Sequence, residues 1–357
     1  MRFAFYGTIS PTLTTFADRL SKALVARGYE HTEDLASANL VCNFVDRDNV
    51  RPYRRESATT FCAAIYEGDA PPADFGEAIG DYYPVLVRAL SNVSVRVVPG
   101  TEVRFGTMEQ GNYAVADDGS DAFFDKVAER LAPLAESHLV IDNIWNPDLE
   151  SELWDGDEVT AELRKAGQRL DAMNLLPAPF PIENYLDKRD LEHVKRLYSI
   201  GGLSYGNLSA RKDASRFWMS ASGVDKSNLQ DIGRDMLLVT DYNQAAQAMV
   251  MSVPPEIEPR RVSVDAIEHW KIYTEHPAVG AIIHVHAWVE GVDATEINYP
   301  CGTAELADAV ADLVRTQPDP AHAIIGLKNH GLTITGETLD EIFDRVEPHI
   351  LRHIPMA

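Results

Sequence analysis

The stretch Ala278-Val279-Gly280-Ala281-Ile282-Ile283-His284-Val285-His286-Ala287 decides how the rest of the chain is read. A short run of small and β-branched apolar residues specifies a buried strand, and His284 and His286 interrupt it at the strand period. That spacing puts both imidazoles on one face. Burying two polar rings is costly unless something satisfies them, and a divalent cation does so through the lone pairs of neutral imidazole. A metal is therefore expected here.

Four short segments around this strand belong to the same argument. GNLSAR (206–211) places a glycine and small polar residues between a helix and a strand, a setting suited to backbone contact with a polar ligand. SASG (220–223) does the same after strand-like RFWMS, and RRVSVDAIEHW (260–270) brings Ser263 and Asp265 to a helix start, where an aspartate also serves as a plain cap. GLKNHG (326–331) is a strand-like approach ending in His330.

In that order, GNLSAR, SASG with Lys226 shortly after, HPAVGAIIHVHA (276–287), YPCGTAEL (299–306) and KNHG (328–331) resemble the class II aldolase and adducin head domain family. The resemblance runs from about Glu183 to Thr338. It implies a class II aldolase-like α/β/α domain in which His284, His286 and His330 ligate a divalent metal, zinc being expected and manganese or iron also fitting. Three protein ligands leave positions open for water or substrate, the catalytic arrangement. The resemblance further implies that Asp265 is the catalytic acid/base, an aspartate where the aldolases carry glutamate. Asn207, Ser222, Gly223 and Ser263 are the expected substrate contacts, with Val264 in place of a serine that helps hold phosphate in the aldolases. Only residues 287–301 separate His286 from Gly302, a shorter span than in the sugar-phosphate aldolases. The resemblance implies that the missing segment supplies a proton-transfer tyrosine there, and Tyr299 is a candidate to take its place, with no spacing that assigns it. Lys226 reads as a solvated or structural lysine, and His269 and His276 as structural.

The first half reads differently. RFAFYGT (2–8) is a buried strand, and Ser10-Pro11 starts a helix with Leu13, Phe16, Ala17, Leu20 and Leu24 at helical spacing and Gly28 as its stop. Strand-like segments at 39–45, 59–67, 93–98 and 138–145 alternate with helical ones at 83–90 and 121–136. Such alternation predicts a doubly wound parallel sheet, so residues 1–150 are expected to form a Rossmann-like domain. Gly7-Thr8 ends the first strand without GxGxxG or GxxxxGK[ST], and reads as an ordinary turn. Residues 151–182 read as a helical connector closed by the prolines at 177, 179 and 181, which leaves 183–357 as the metal domain.

Composition bounds the rest. The chain has 357 residues, 45% of them hydrophobic, enough for more than one core. A formal charge of −23 argues against a nucleic-acid or anionic-membrane partner, and three scattered cysteines argue against a disulfide framework. With no apolar leader and no run of roughly 20 apolar residues, the cytoplasm is the expected location. Together these readings predict a metal-dependent lyase that performs retro-aldol cleavage or decarboxylation, through an enolate, on a small hydroxy-carbonyl or carboxylate substrate. An Fe(II) oxygenase or isomerase on the same scaffold and a non-catalytic adducin-like assembly module are the alternatives. A homo-oligomer is expected, with a tetramer favoured by the resemblance.

Overall fold

The computed structural model describes residues 1–55, 57, 59–109, 111–176, 182–197 and 205–356. The prolines of the expected linker lie outside them. In chain order the elements are β1 (Arg2–Gly7), α1 (Pro11–Ala26), β2 (Glu30–His31), β3 (Leu40–Phe44), β4 (Phe61–Glu67), α2 (Phe75–Ala89), β5 (Val93–Val98), β6 (Glu102–Thr107), β7 (Asn112–Ala116) and α3 (Asp121–Glu136). They continue as β8 (Asp142–Asn146), α4 (Glu158–Ala172), α5 (Lys188–Leu197), β9 (Asn207–Arg211), β10 (Phe217–Ser220), β11 (Met236–Asn243) and β12 (Ala248–Ser252). The last are α6 (Ala266–Glu275), β13 (Ala281–Val285), α7 (Ala304–Thr316), β14 (Ile324–Leu327), β15 (Gly331–Gly336) and α8 (Leu339–Val346).

Among the described residues the strands form two sheets, β2-β1-β3-β4-β5-β6-β7 and β14-β15-β13-β9-β10-β11-β12-β8. The first is parallel from β2 through β5 and antiparallel at β6 and β7, so it is mixed and not wholly parallel as expected. The departure has a local cause. Thr101 N donates to Val98 O at 3.0 Å in a tight turn at Gly100, whose φ is +71°, and the chain folds straight back instead of crossing over. α1 and α3 cover one face with Phe16, Leu20, Leu24, Val127 and Leu131, while Val85 and Ala89 of α2 pack with Ala64 and Tyr66 on the other. α1 starts as the sequence predicts, with Ser10 Oγ accepting from Leu13 N and Pro11 in the first turn.

Three segments sit elsewhere than the sequence pattern placed them. The strand expected at 138–145 in the first sheet is β8, and it pairs in parallel with β12 at the edge of the second. The connector helix α4 buries Leu163, Ala166 and Leu170 in the core of that second sheet, and a Cβ on Gly167 would lie 1.8 Å from Lys226 O. In the reverse sense, α5, expected to open the second domain, packs on α2, where Arg88 Nε donates to Asp190 Oδ2 at 2.7 Å. Ile182, Leu186 and Val194 join Ile79, Tyr82 and Leu86 in that contact. Periodicity specifies an apolar face but not the surface that will cover it.

The second sheet is antiparallel except at β8. α4 and α8 pack together, as do α6 and α7, so helices and sheet make an α/β/α layer structure. No helix among the described residues is long and apolar enough to cross a membrane.

Candidate metal centre

The register of the second sheet builds the site. His284 lies directly opposite Asn207 on β9 and Thr333 on β15, and opposed residues share a face, so these three form one row across the sheet. This face looks toward α6: Ser209, two residues on from Asn207, touches His269 and Tyr273, and Thr333 donates to Glu268. His286 extends the same face just beyond β13. His330 reaches it from the turn between β14 and β15, where Asn329 adopts a left-handed φ of 59° and His330 N donates to Leu327 O at 3.0 Å.

Two glycines allow this close approach. A Cβ on Gly206 would lie 2.3 Å from His284 O, and one on Gly331 would lie 2.3 Å from Val285 O. Both meet backbone, which cannot swing aside, so GN and HG in the sequence mark places where the backbone comes too near for a side chain.

The three imidazoles meet. Their ring centroids are 5.3 Å (284–286), 4.7 Å (284–330) and 4.9 Å (286–330) apart, and one nitrogen from each lies within 4.8 Å of the others. All three are buried. His284 Nδ1 lies 3.0 Å from Leu332 O. A carbonyl only accepts, so Nδ1 carries the proton and Nε2 keeps its lone pair. Among the described residues, His284 Nε2, His286 Nδ1 and His330 Nε2 are buried without a hydrogen-bond partner. Burial lowers the affinity of each ring for a proton, to about 3 for His330. Neutral, converging and unpartnered nitrogens are the donor set a divalent cation requires, so the residues fit the metal that the sequence predicts.

Asp265 faces the same cavity. It occupies the cap position of α6 but makes no side-chain cap bond; its Oδ2 accepts from Asn207 Nδ2 at 2.6 Å and its Oδ1 from Cys301 Sγ at 2.9 Å. Burial opposes its ionisation, yet the imidazoles of His284 and His330 and the thiol of Cys301 outweigh that and hold it below the usual range. Behind it, burial together with the charge of Asp265 pushes Glu268 up to about 8.

A cavity of about 410 Å³ opens over these groups. Ser222, Gly223, Ser263 and Asn207 all line it, as does Tyr299. Asn207 directs its amide N–H at Asp265 and leaves its carbonyl oxygen, which has no partner among the described residues, for a ligand. The sequence pattern read Lys226 as structural. It is 2% exposed on the cavity wall, and burial lowers it to about 8. Cys301 lies inside YPCGTAEL, and its neighbours there were the available signal. Arg55, Glu109, Tyr113 and Arg130, which close the cavity from the first sheet, carried no local signal.

The cavity meets the first sheet at the start of β5 and the β6–β7 hairpin, the end opposite Gly7. At the hairpin tip a Cβ on Gly111 would lie 2.9 Å from Asn329 O, and Asn298 Nδ2 donates to Tyr113 Oη at 3.4 Å. The β6–β7 hairpin of the first sheet thus touches the turn that holds His330.

Comparison with known proteins bears on part of the chain. No curated protein matches. Among solved structures, YgbL from Klebsiella pneumoniae is 21% identical over 54% of this chain and 84% of its own, with a TM-score of 0.34. The L-fuculose-1-phosphate aldolase of Thermus thermophilus is 18% identical over 52% and 85%, with a TM-score of 0.33. An aldolase II superfamily protein from Pseudomonas syringae is 17% identical over 56% and 73%, with a TM-score of 0.35. Residues 196–289, which include the GNLSAR strand, Asp265 and the His284–His286 pair, match the family model for the Class II Aldolase and Adducin N-terminal domain.

Proposed function

We propose that this protein is a metal-dependent lyase acting on a small hydroxy-carbonyl or carboxylate substrate by retro-aldol cleavage or decarboxylation. The observation that carries the reading is the set of three buried imidazole nitrogens, unpartnered among the described residues, that share one cavity with Asp265. His284 Nε2, His286 Nδ1 and His330 Nε2 would hold the ion, with zinc favoured. When bound, it supplies Lewis-acid chemistry, withdrawing the negative charge that develops on a substrate oxygen as a neighbouring C–C bond breaks.

The chain's own residues do the rest. Asp265 accepts or returns the proton, and its two fixed hydrogen bonds aim the carboxylate instead of leaving it to rotate. Ser222, Gly223 and Ser263 offer hydroxyl and backbone groups to substrate oxygens from the cavity wall. The β6–β7 hairpin forms part of the cavity wall, and the desolvation it adds strengthens each of these interactions. The reading extends to a homo-oligomer, which sedimentation of the purified protein tests.

Elemental analysis of untagged protein beside the His284→Ala/His286→Ala variant tests the centre. Near-stoichiometric divalent metal in the wild type and its loss in the variant are expected, together with loss of metal-dependent turnover in His286→Ala. Failure to bind any divalent ion, even after each is added, would leave the adducin-like module as the better reading.

A further inference from the structure

The walls of the cavity invert the charge of the chain. The sequence has 55 acidic residues against 32 lysines and arginines, yet among the described residues the cavity is lined by Arg55, Arg130, Lys226 and Arg261 against Glu109 and Asp265. The cations divide by position. Lys226 belongs to the metal end, where its charge is felt at His284 and His286 and is itself favoured by Asp265. Arg55 and Arg130 come from the N-terminal domain, outside the family-like stretch.

What these two arginines touch matters more than their number. Arg55 donates to the carbonyls of Thr60 at 3.4 Å and Leu90 at 3.1 Å, and the Arg130 guanidinium lies 5.2 Å from the centroid of the Tyr113 ring. Among the described residues neither has a carboxylate ion-pair partner. A guanidinium on a cavity wall that meets carbonyls or a ring, and no carboxylate among the described residues, keeps charge and donors for an oxyanion. Arg55 also lines a second cleft in which Arg51, Arg54, Arg88 and Arg189 stand against Asp48, Asp187 and Asp190, with Arg88 paired to the last two, so the excess of positive side chains there adjoins the cavity at Arg55. That arrangement draws anions inward. Val264 also lines the cavity, and its Cβ would be 3.1 Å from a Cβ on Gly302, so that position is given to packing.

We propose that Arg55 and Arg130 form an oxyanion subsite on the N-terminal domain, which holds a phosphate or carboxylate tail of the substrate while its reacting end meets the histidines. The subsite rests on the lyase reading for the word substrate, but not for its existence. It gives the N-terminal domain the role of selecting substrates by their charged end.

The test uses the full-length protein with its bound metal, titrated calorimetrically with inorganic phosphate and with malonate. The variants are Arg55→Met, Arg130→Met, both together, and Arg130→Lys, which keeps the charge and loses the planar fork. At least one probe should bind the wild type, and the double methionine variant should weaken it by about tenfold or more, with metal content and unfolding midpoint unchanged. Arg130→Lys should fall between. Tighter phosphate or tighter malonate binding tells which tail is read. The His284→Ala/His286→Ala variant separates the subsite from the metal. Retained anion binding there supports the subsite even if the wild type proves to hold no metal, in which case the lyase reading alone fails. Anion binding that survives both methionine changes, or that vanishes only with the histidines, overturns the proposal, as does binding of neither probe.

Discussion

Replacing Gly331 by alanine tests whether the approach of two backbones sets the metal centre. The added Cβ would lie 2.3 Å from Val285 O, 3.1 Å from Val285 C and 3.2 Å from His286 Cα. All three are backbone atoms of the strand that carries His284 and His286, while Gly331 directly follows His330. Relief to an ordinary contact requires the β14–β15 turn to retreat by about 1 Å, and overpacking of this kind costs roughly 1–3 kcal/mol. The same retreat moves one ligand from the other two. Metal–ligand distances tolerate only about 0.2 Å, so zinc affinity should drop by roughly tenfold to a hundredfold, the range seen when ligand orientation is disturbed. The assays are zinc competition against a chromogenic chelator and urea unfolding of the metal-free protein. Gly336→Ala on the same strand is the control. Its Cβ would meet side-chain atoms of Ile342 and Glu341, the nearest at 2.3 Å, so stability should fall and zinc affinity should not. Zinc affinity in Gly331→Ala within about threefold of wild type, a difference under 1 kcal/mol, would refute the reasoning.

The remaining predictions concern the groups around the ion. Asn207→Ala removes the 2.6 Å hydrogen bond to the buried Asp265 carboxylate and should cost about 1.5–3 kcal/mol in urea unfolding while zinc stays bound; an unchanged midpoint would show that the bond holds nothing. Burial keeps His330 and His269 down to about 3 and lowers His284 and His286 too, whereas an unfolded histidine titrates near 6.5. The unfolded chain therefore binds more protons below pH 6.5. Metal-free protein should hold this part of its stability above about pH 6.5 and lose it as pH falls toward 3, by at most about 1.4 kcal/mol per pH unit for each histidine. Glu268 works the other way. Raised to about 8 by burial, it binds its proton in the fold at pH values where an unfolded glutamate, titrating near 4.3, has lost it. Glu268→Gln should remove that opposition and steepen the profile between pH 5 and 7, and parallel profiles for wild type and variant would rule this out.

Much of the metal centre was legible because its parts are local. Histidines two apart on a strand must share a face, a glycine after His330 marks a close backbone approach, and Ser10 caps its helix through an amide three residues away. Asp265 was legible in position but ambiguous in role, since a cap and an acid use the same residue at the same place. Its missing cap bond and its bonds to Asn207 and Cys301 set the plain cap aside and leave the acid/base role as a proposal, and both partners are distant in sequence.

The sequence by itself determined the strand and turn that present His284, His286 and His330, the helix starts, and the alternation of elements in the first half. These follow from backbone periods and from the few residues that can end or cap an element. Only the tertiary structure decided that β8 and α4 join the second sheet, that α5 lies on α2, that Lys226 is buried beside the histidines, and that Arg55, Glu109 and Arg130 close the cavity. Each of these depends on which apolar face meets which. That is settled by the packing of whole layers, and no period in the chain records it.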